Sequence, residues 1–269
     1  MPNQFNHPWN RNDLDYLKLQ FHTKTYKEIG EKLGRSYSSV QSKIRNMKLN
    51  KRVNKYSINS LFFRTWSHEM AYVLGFITAD GNVQQTKKGY HVDIACDDID
   101  VIEKIKQHLN SSTPTRQKPR FNGKISYSLR FSDKSIYYDL LKLGITPRKS
   151  LTIKPPHIPS KYLWDYIRGF FDGDGCVYVN RKSKYPSKLH TLFYTGSLLL
   201  AQFLFKTIKN SLTDYKGHII TKGKNSYVLH FGQKHSRILF QKMYKTTNLF
   251  MDRKYKLFQE GLLTSNYGI

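Results

Sequence analysis

Asp80 and Asp174 are the residues of this chain whose type and setting most favour chemistry. They close matched segments, Tyr72-Val-Leu-Gly-Phe-Ile-Thr-Ala-Asp-Gly-Asn-Val83 and Tyr166-Ile-Arg-Gly-Phe-Phe-Asp-Gly-Asp-Gly-Cys-Val177. Tyr, Gly, Phe, Asp, Gly and Val coincide at an offset of 94 positions. Gly75 and Ala79 lie four apart, as do Gly169 and Gly173, so on a helix each pair shares one face. Small residues at that spacing let two helices approach closely. Helices packed there bring Asp80 and Asp174 side by side, each at the negative end of a helix dipole and next to a like charge. A divalent cation resolves both conflicts, and hard oxygen ligands suit Mg2+, with Mn2+ as the alternative. A metal held between two carboxylates and a phosphate activates water and stabilises the leaving oxygen. An Asp-Gly that only makes a turn is the plain alternative. Matched positions in two copies favour the metal.

The expected substrate class follows from charge. The 269 residues include 45 Lys and Arg against 19 Asp and Glu, a net charge of +26. Basic residues interleaved with Tyr, Phe, Ser and Asn point to nucleic acid ahead of a merely solvated surface. Two cysteines exclude a disulfide framework and a four-cysteine zinc site. No apolar run reaches the length of a membrane span. Met1-Pro2-Asn3-Gln4 lacks the layout of a secretory signal, so the expected location is intracellular, in the cytoplasm or nucleoid. The histidines show no H-E-x-x-H spacing, and no phosphate-binding glycine loop is present.

The elements that position the aspartates also repeat. Lys124-Ile-Ser-Tyr-Ser-Leu-Arg-Phe-Ser-Asp-Lys134 matches Lys224-Asn-Ser-Tyr-Val-Leu-His-Phe-Gly-Gln-Lys234 at an offset of 100, and Arg148-Lys149 is echoed by Arg253-Lys254. The change of offset puts six extra residues in the second copy, around 180–188. Ser67 and Ser160 are N-cap candidates for the two motif helices. Tyr127, Leu129 and Phe131 alternate with polar residues as on a one-faced strand, and Tyr227, Leu229 and Phe231 repeat the pattern. Val92 and Ile94 predict another strand, followed by a helix over Ile99–Leu109. The order per copy is helix, two strands, helix, two strands, helix. The expected domains are 1–50, a basic linker over 51–66, a first copy over 67–156 and a second over 157–269.

Residues 1–50 belong to neither copy. Asn12–Phe21 predicts a helix. Thr25 and Glu28 have capping-box spacing at the start of a second helix that Gly34 ends, and a third begins after Arg35. The segment resembles tri-helical DNA-binding modules of the Myb/SANT and helix-turn-helix type, with Trp9 and Leu14 as core anchors. A protein-interaction bundle is the alternative. Arg35, Ser39, Gln41, Ser42, Lys43 and Arg45 are the candidate DNA contacts, with Lys51 and Arg52 in the linker.

Val73-Leu-Gly-Phe-Ile-Thr-Ala-Asp-Gly81 and Ile167-Arg-Gly-Phe-Phe-Asp-Gly-Asp-Gly175 resemble the LAGLIDADG motif of the homing endonucleases. The resemblance runs from about residue 67 to the end. It implies an α+β fold of two pseudo-symmetric αββαββα copies, forming a saddle on duplex DNA behind the small tri-helical domain. It implies a monomeric, double-strand DNA endonuclease that takes a long asymmetric site and cuts across the minor groove. Asp80 and Asp174 match the catalytic metal ligands, with the adjoining Ala79 and Gly173 in the metal site. Lys134 and Lys234 match basic residues after the last strand of each copy. Thr78 replaces an acid that Asp172 keeps, and Leu74 and Arg168 replace small residues.

On such a saddle, outward strand residues enter the major groove: His91, Asp93, Ser128 and Arg130 in one copy, Ser226 and His230 in the other. Lys87, Lys88, Arg116, Arg120, Arg181, Lys182 and Lys184 sit in turns directed at phosphates. An RNA-binding maturase acting on intron RNA and a DNA-binding transcriptional regulator are the competing readings on the same scaffold.

Overall fold

A computed structural model describes residues 7–21, 24–47, 49, 56–121, 123–181, 188–245 and 247–264. The chain divides into two compact units, 1–55 and 56–269.

The first unit holds three helices: α1 (Arg11–Gln20), α2 (Tyr26–Leu33) and α3 (Tyr37–Asn46). Thr25 and Glu28 form the capping box, each bonding the other's backbone N–H, and Gly34 ends α2 in the left-handed conformation at φ 61°. The core is Leu17, Phe21, Ile29, Val40 and Ile44, with Trp9 packed against it. Leu17, one helical turn beyond Leu14, supplies the α1 anchor expected of Leu14.

The second unit contains the two copies. In the first, α4 (His68–Asp80) leads directly into β1 (Gly81–Thr86) and β2 (Gly89–Cys96). Then come α5 (Ile99–His108), β3 (Arg116–Pro119), β4 (Ile125–Ser132) and α6 (Lys134–Lys142). The second copy runs α7 (Leu163–Asp174), β5 (Gly175–Asn180), β6 (Lys188–Thr195), α8 (Leu198–Lys209), β7 (Ile219–Thr221), β8 (Tyr227–Phe231) and α9 (Gln233–Tyr244). A further helix, α10 (Asp252–Thr264), closes the described chain. Each copy is therefore αββαββα, as the sequence implies. Its antiparallel sheet has the order β1-β2-β4-β3 or β5-β6-β8-β7.

Two local differences have physical causes. Ser67 caps α4 through a bond from the Met70 N–H. Ser160 does not cap α7, because Ser160–Tyr162 form a 3-10 turn that delays the helix start to Leu163. The 51–66 linker is shorter than expected. Residues 51–55 lie outside the described residues, and from Ser57 onward the chain is tied to the first copy. The Asn59 N–H donates to the Leu109 carbonyl at 2.9 Å, Ser60 donates to Asp133 at 2.6 Å, and Phe63 is buried in the core.

The sheets bury one face each. Val83, Val92, Ile94, Leu129 and Phe131 supply it in the first, and Val177, Thr191, Phe193, Leu229 and Phe231 in the second. The alternation read around Tyr127–Phe131 places Leu129 and Phe131 correctly, since side chains two apart share a face.

Candidate active site

The motif helices α4 and α7 form the most extensive helix contact of the chain. Their glycines make it possible. A methyl group added at Gly75 would run into the Tyr166 carbonyl oxygen, and one at Gly169 into the Tyr72 carbonyl oxygen. At the lower end a methyl at Gly173 would meet the Ala79 side chain, 3.4 Å from Asp80 Oδ2. The small residues thus bring the helix ends together and leave Asp80 and Asp174 as neighbours.

Each helix also reaches across to the other. The Tyr72 hydroxyl donates to Asp172 at 2.7 Å, and the Tyr166 hydroxyl to Thr78 Oγ1 at 3.2 Å. These bonds are equivalent under the repeat. Thr78 adds a back-bond to the Leu74 carbonyl at 2.8 Å. Asp172 is fully buried and also accepts from the Tyr244 hydroxyl at 2.9 Å and the Met251 N–H at 2.9 Å.

Both terminal carboxylates are accessible to solvent, Asp80 more than Asp174. The protein packed behind them still withdraws enough water to penalise charge. Desolvation raises the Asp80 pKa, with Lys254 and Lys149 acting in opposition. Desolvation and the Asp80 charge together push Asp174 up to about 6. Two adjacent carboxylates, the charge of Asp80 disfavouring ionisation of Asp174, with no nitrogen or sulfur ligand, form a hard donor set that fits Mg2+. Among the described residues no group of three or more His, Cys, Asp or Glu side chains is placed to hold a metal. A cation at this pair therefore needs water, backbone or phosphate oxygens to complete its shell.

The lysines beside the pair are Lys149 and Lys254, both nearly fully buried. Lys149 Nζ donates to the Gly81 carbonyl. Lys254 Nζ donates to the carbonyls of Phe171 and Asp172 at 2.7 Å and Gly175 at 2.6 Å, with the Gly173 carbonyl a longer contact at 3.3 Å. Each ammonium thus sits at the carbonyl-rich end of its own copy's motif helix, where the dipole favours a cation. Burial lowers both lysine pKa values, while Asp80 and Asp174 hold Lys149 up and Asp172 and Asp80 hold Lys254 up. In the sequence these lysines are marked only by the Arg148-Lys149/Arg253-Lys254 echo, which carries no role by itself. That echo was the available signal.

The positioning of these lysines crosses between copies. The Lys254 segment is held by the first copy: Arg253 makes a two-pronged ion pair with Asp98, and Lys104 bonds Asp252 at 2.6 Å and the Phe250 carbonyl at 2.9 Å. The Lys149 segment is held by the second copy, where the Ser197 hydroxyl donates to the Ile153 carbonyl at 2.7 Å.

Lys134 and Lys234 take other places. Lys134 opens α6, with its ammonium 5.9 Å from the Tyr90 ring centre, and Lys234 faces Asp214 at 3.5 Å. The strand register explains the difference. Gly81 stands in the row of Ile94 and Leu129, and Gly175 in that of Phe193 and Leu229. Lys134 and Lys234 each lie five residues past that row, roughly 15 Å along an extended chain. Ala79 lies against Gly173 beside the pair. Gly173 serves close approach, and its carbonyl oxygen lies 3.3 Å from Lys254 Nζ.

The expected DNA contacts divide as follows. Gln41, Ser42 and Arg45 are exposed on α3, while Ser39 and Lys43 are half-buried, Lys43 lying 5.6 Å over Trp9. Arg35 is a correction. It is 4% exposed, donates to the carbonyls of His7 and Pro8, pairs with Asp13 at 2.7 Å and stacks on Trp9 at 3.9 Å. It is a strut of the three-helix core. Lys87, Lys88, Arg116 and Arg120 are exposed, with Arg120 paired to Asp97 at 2.8 Å. Arg181 is exposed and paired with Glu260. His91, Asp93, Arg130 and His230 lie half-exposed on the outer faces of the sheets, and Ser226 is half-exposed just before β8. Ser128 lies on the outer side but is only 2% exposed, too short to clear its register neighbour Arg116. Lys51, Arg52, Lys182 and Lys184 lie outside the described residues.

No family model matches the chain. Two uncharacterized proteins of Methanocaldococcus jannaschii are each 26% identical to it. One matches over 138 residues, 50% of this chain and 51% of its own length; the other over 226 residues, 75% and 79%. The chain thus spans about half the length of the first. The LAGLIDADG meganuclease I-AabMI, solved bound to uncleaved DNA, superposes with a TM-score of 0.50 at 14% identity, over 72% of this chain and 89% of that one. The LAGLIDADG homing endonuclease I-LtrWI, bound to target DNA, gives 0.49 at 14% identity, over 77% and 91%. The chain has the two-copy LAGLIDADG fold. No helix among the described residues is long and apolar enough to cross a membrane.

Proposed function

We propose that this chain, having the LAGLIDADG fold, is a metal-dependent endonuclease that cuts both strands of duplex DNA at a long asymmetric site. The observation that carries the reading is the juxtaposition of Asp80 and Asp174 at the ends of two helices packed through glycine. Folding gains nothing from setting two carboxylates side by side at the negative ends of two helices. A divalent metal, Mg2+ or Mn2+, held by them supplies charge for the phosphate and an activated water. Asp80 and Asp174 hold the metal, with Ala79 in the surrounding wall. Lys149 and Lys254 keep positive charge beside the pair and stabilise the negative charge that develops on the reacting phosphate.

The reading includes a monomer acting across the minor groove, with one copy over each half of the site. The net charge of +26 matches a polyanion of this size. The exposed α3 residues Gln41, Ser42 and Arg45 extend contact to neighbouring DNA in the manner of a helix-turn-helix, and the tether raises their local concentration. An intracellular site of action follows from the substrate.

Cleavage selection on a DNA library, in Mg2+ and in chelator, tests the reading. Magnesium-dependent double-strand cuts at one site are expected, absent from the Asp80→Asn/Asp174→Asn variant. Binding of intron RNA without any DNA cleavage would replace this reading with the maturase.

A further inference from the structure

The two sheets share a topology and differ in what their outer faces offer. On the first, β1 presents Asn82 and Gln84, β2 presents Asp93, and β4 presents Arg130 directly across from Asp93. Arg130 NH1 lies 3.8 Å from Asp93 Oδ2, and Asp93 Oδ1 is buried without a hydrogen-bond partner. These side chains have unspent donors and acceptors. On the second sheet the corresponding face carries Tyr178, His190, Leu192, Tyr194, Val228 and His230. Among the described residues of its four strands there is no arginine, carboxylate or glutamine. Tyr178 stacks on His190 with ring centres 5.0 Å apart and planes 17° apart, and His190 bonds His230 at 2.9 Å. The histidines therefore brace each other, and the exposed groups at the middle of this face are the rings of Tyr178 and Tyr194, 41% and 37% accessible, with Asn180 and Lys188 exposed together at its end.

We propose that the two sheets read the two halves of one duplex by different chemistry: Arg130, presented by Asp93, fixes a guanine in the half-site under the first sheet, whereas Tyr178 and Tyr194 select thymine methyl groups in the half under the second. The proposal rests on the DNA reading above. An arginine fork matches guanine O6 and N7, glutamine and asparagine match adenine, and apolar surface meets only the thymine methyl. The unpartnered Asp93 Oδ1, shielded by protein, can accept from the guanidinium as the pair tightens. The first half-site is stringent, with roughly 10- to 100-fold weaker binding when the guanine is replaced. The second is tolerant, with about fourfold lost per thymine, because one methyl covered by an exposed ring removes little apolar surface from water.

Binding selection from randomised duplexes tests it, using the full chain with Asp80→Asn/Asp174→Asn so that DNA is held uncut. One half of the selected site should be fixed at guanine and the other biased to thymine. Arg130→Gln should erase the guanine alone. Tyr178→Ser with Tyr194→Ser, both at exposed positions, should erase the thymine bias alone. Equal guanine requirements in both halves, or loss of the thymine bias with Arg130→Gln, would overturn the proposal and leave the DNA reading intact. Failure to select any duplex would overturn the DNA reading itself.

Discussion

The two motif copies reach the same end by unequal means. At the end of α7, Asp172 is sealed from water and collects hydrogen bonds from Tyr72, Tyr244 and Met251, and Lys254 bonds three carbonyls with a fourth in contact. At the end of α4, Thr78 stands where Asp172 would, and Lys149 bonds the single Gly81 carbonyl. The segment carrying Lys254 is clamped by ion pairs to Asp98 and Lys104, that carrying Lys149 by one serine hydroxyl. The carboxylate pair is thus near-symmetric while its supports are not. A buried charge in one copy requires a dense set of partners; a neutral threonine in the other does not.

The largest expected difference between the copies follows from the lysines. Lys254→Met should slow cleavage by about 10²- to 10³-fold and lower stability by about 3 kcal/mol, since it leaves carbonyls and a buried carboxylate without their cation. Lys149→Met should slow cleavage comparably but cost only about 1 kcal/mol. Single-turnover cleavage and denaturant unfolding of both variants check this. Equal stability losses would break the comparison.

Next comes the position that differs between the motifs. Asp172→Thr removes the acceptor for three buried donors and should cost about 2–3 kcal/mol, whereas Thr78→Val should cost about 1 kcal/mol. Denaturant midpoints measure both.

A smaller effect depends on pH. Asp174 is raised to about 6 from an ordinary carboxylate value. Between pH 4 and 6 the native metal-free chain then binds more protons than the unfolded chain, so this group's contribution to stability declines as pH rises through that window. Asp174→Asn should therefore stabilise the metal-free chain at pH 7.5, by about 1–2 kcal/mol after allowing for its partial exposure, and the gain should vanish near pH 4. Thermal melting in chelator at both pH values reads the sign.

The smallest concerns the first unit. Removal of residues 1–55 should weaken DNA binding and flatten its dependence on salt by about one unit of slope per lost phosphate contact. An unchanged slope and site preference would remove the DNA role of α3.

The helix interface was legible because its rule is steric: glycines four apart permit contact whatever else surrounds them. Strand alternation was legible for the same local reason. The lysines were not. The family resemblance, supported by the offset of 100, points to Lys134 and Lys234, whereas proximity to Asp80 and Asp174 depends on strand register and on loops returning from beyond α6 and α9. Arg35 shows the converse error. A basic residue in a helix-turn-helix outline reads as a DNA contact, and only packing reveals that its guanidinium is occupied by Trp9, Asp13 and two carbonyls.

Strand-resolved cleavage of a selected target in Mg2+ by Asp80→Asn and Asp174→Asn tests the shared pair most directly. If the two carboxylates hold a common metal site, each single variant loses at least about 10³-fold on both strands while still binding the target. If either variant cuts one strand at the wild-type rate, the carboxylates serve separate sites. If both cut normally, the pair is not catalytic.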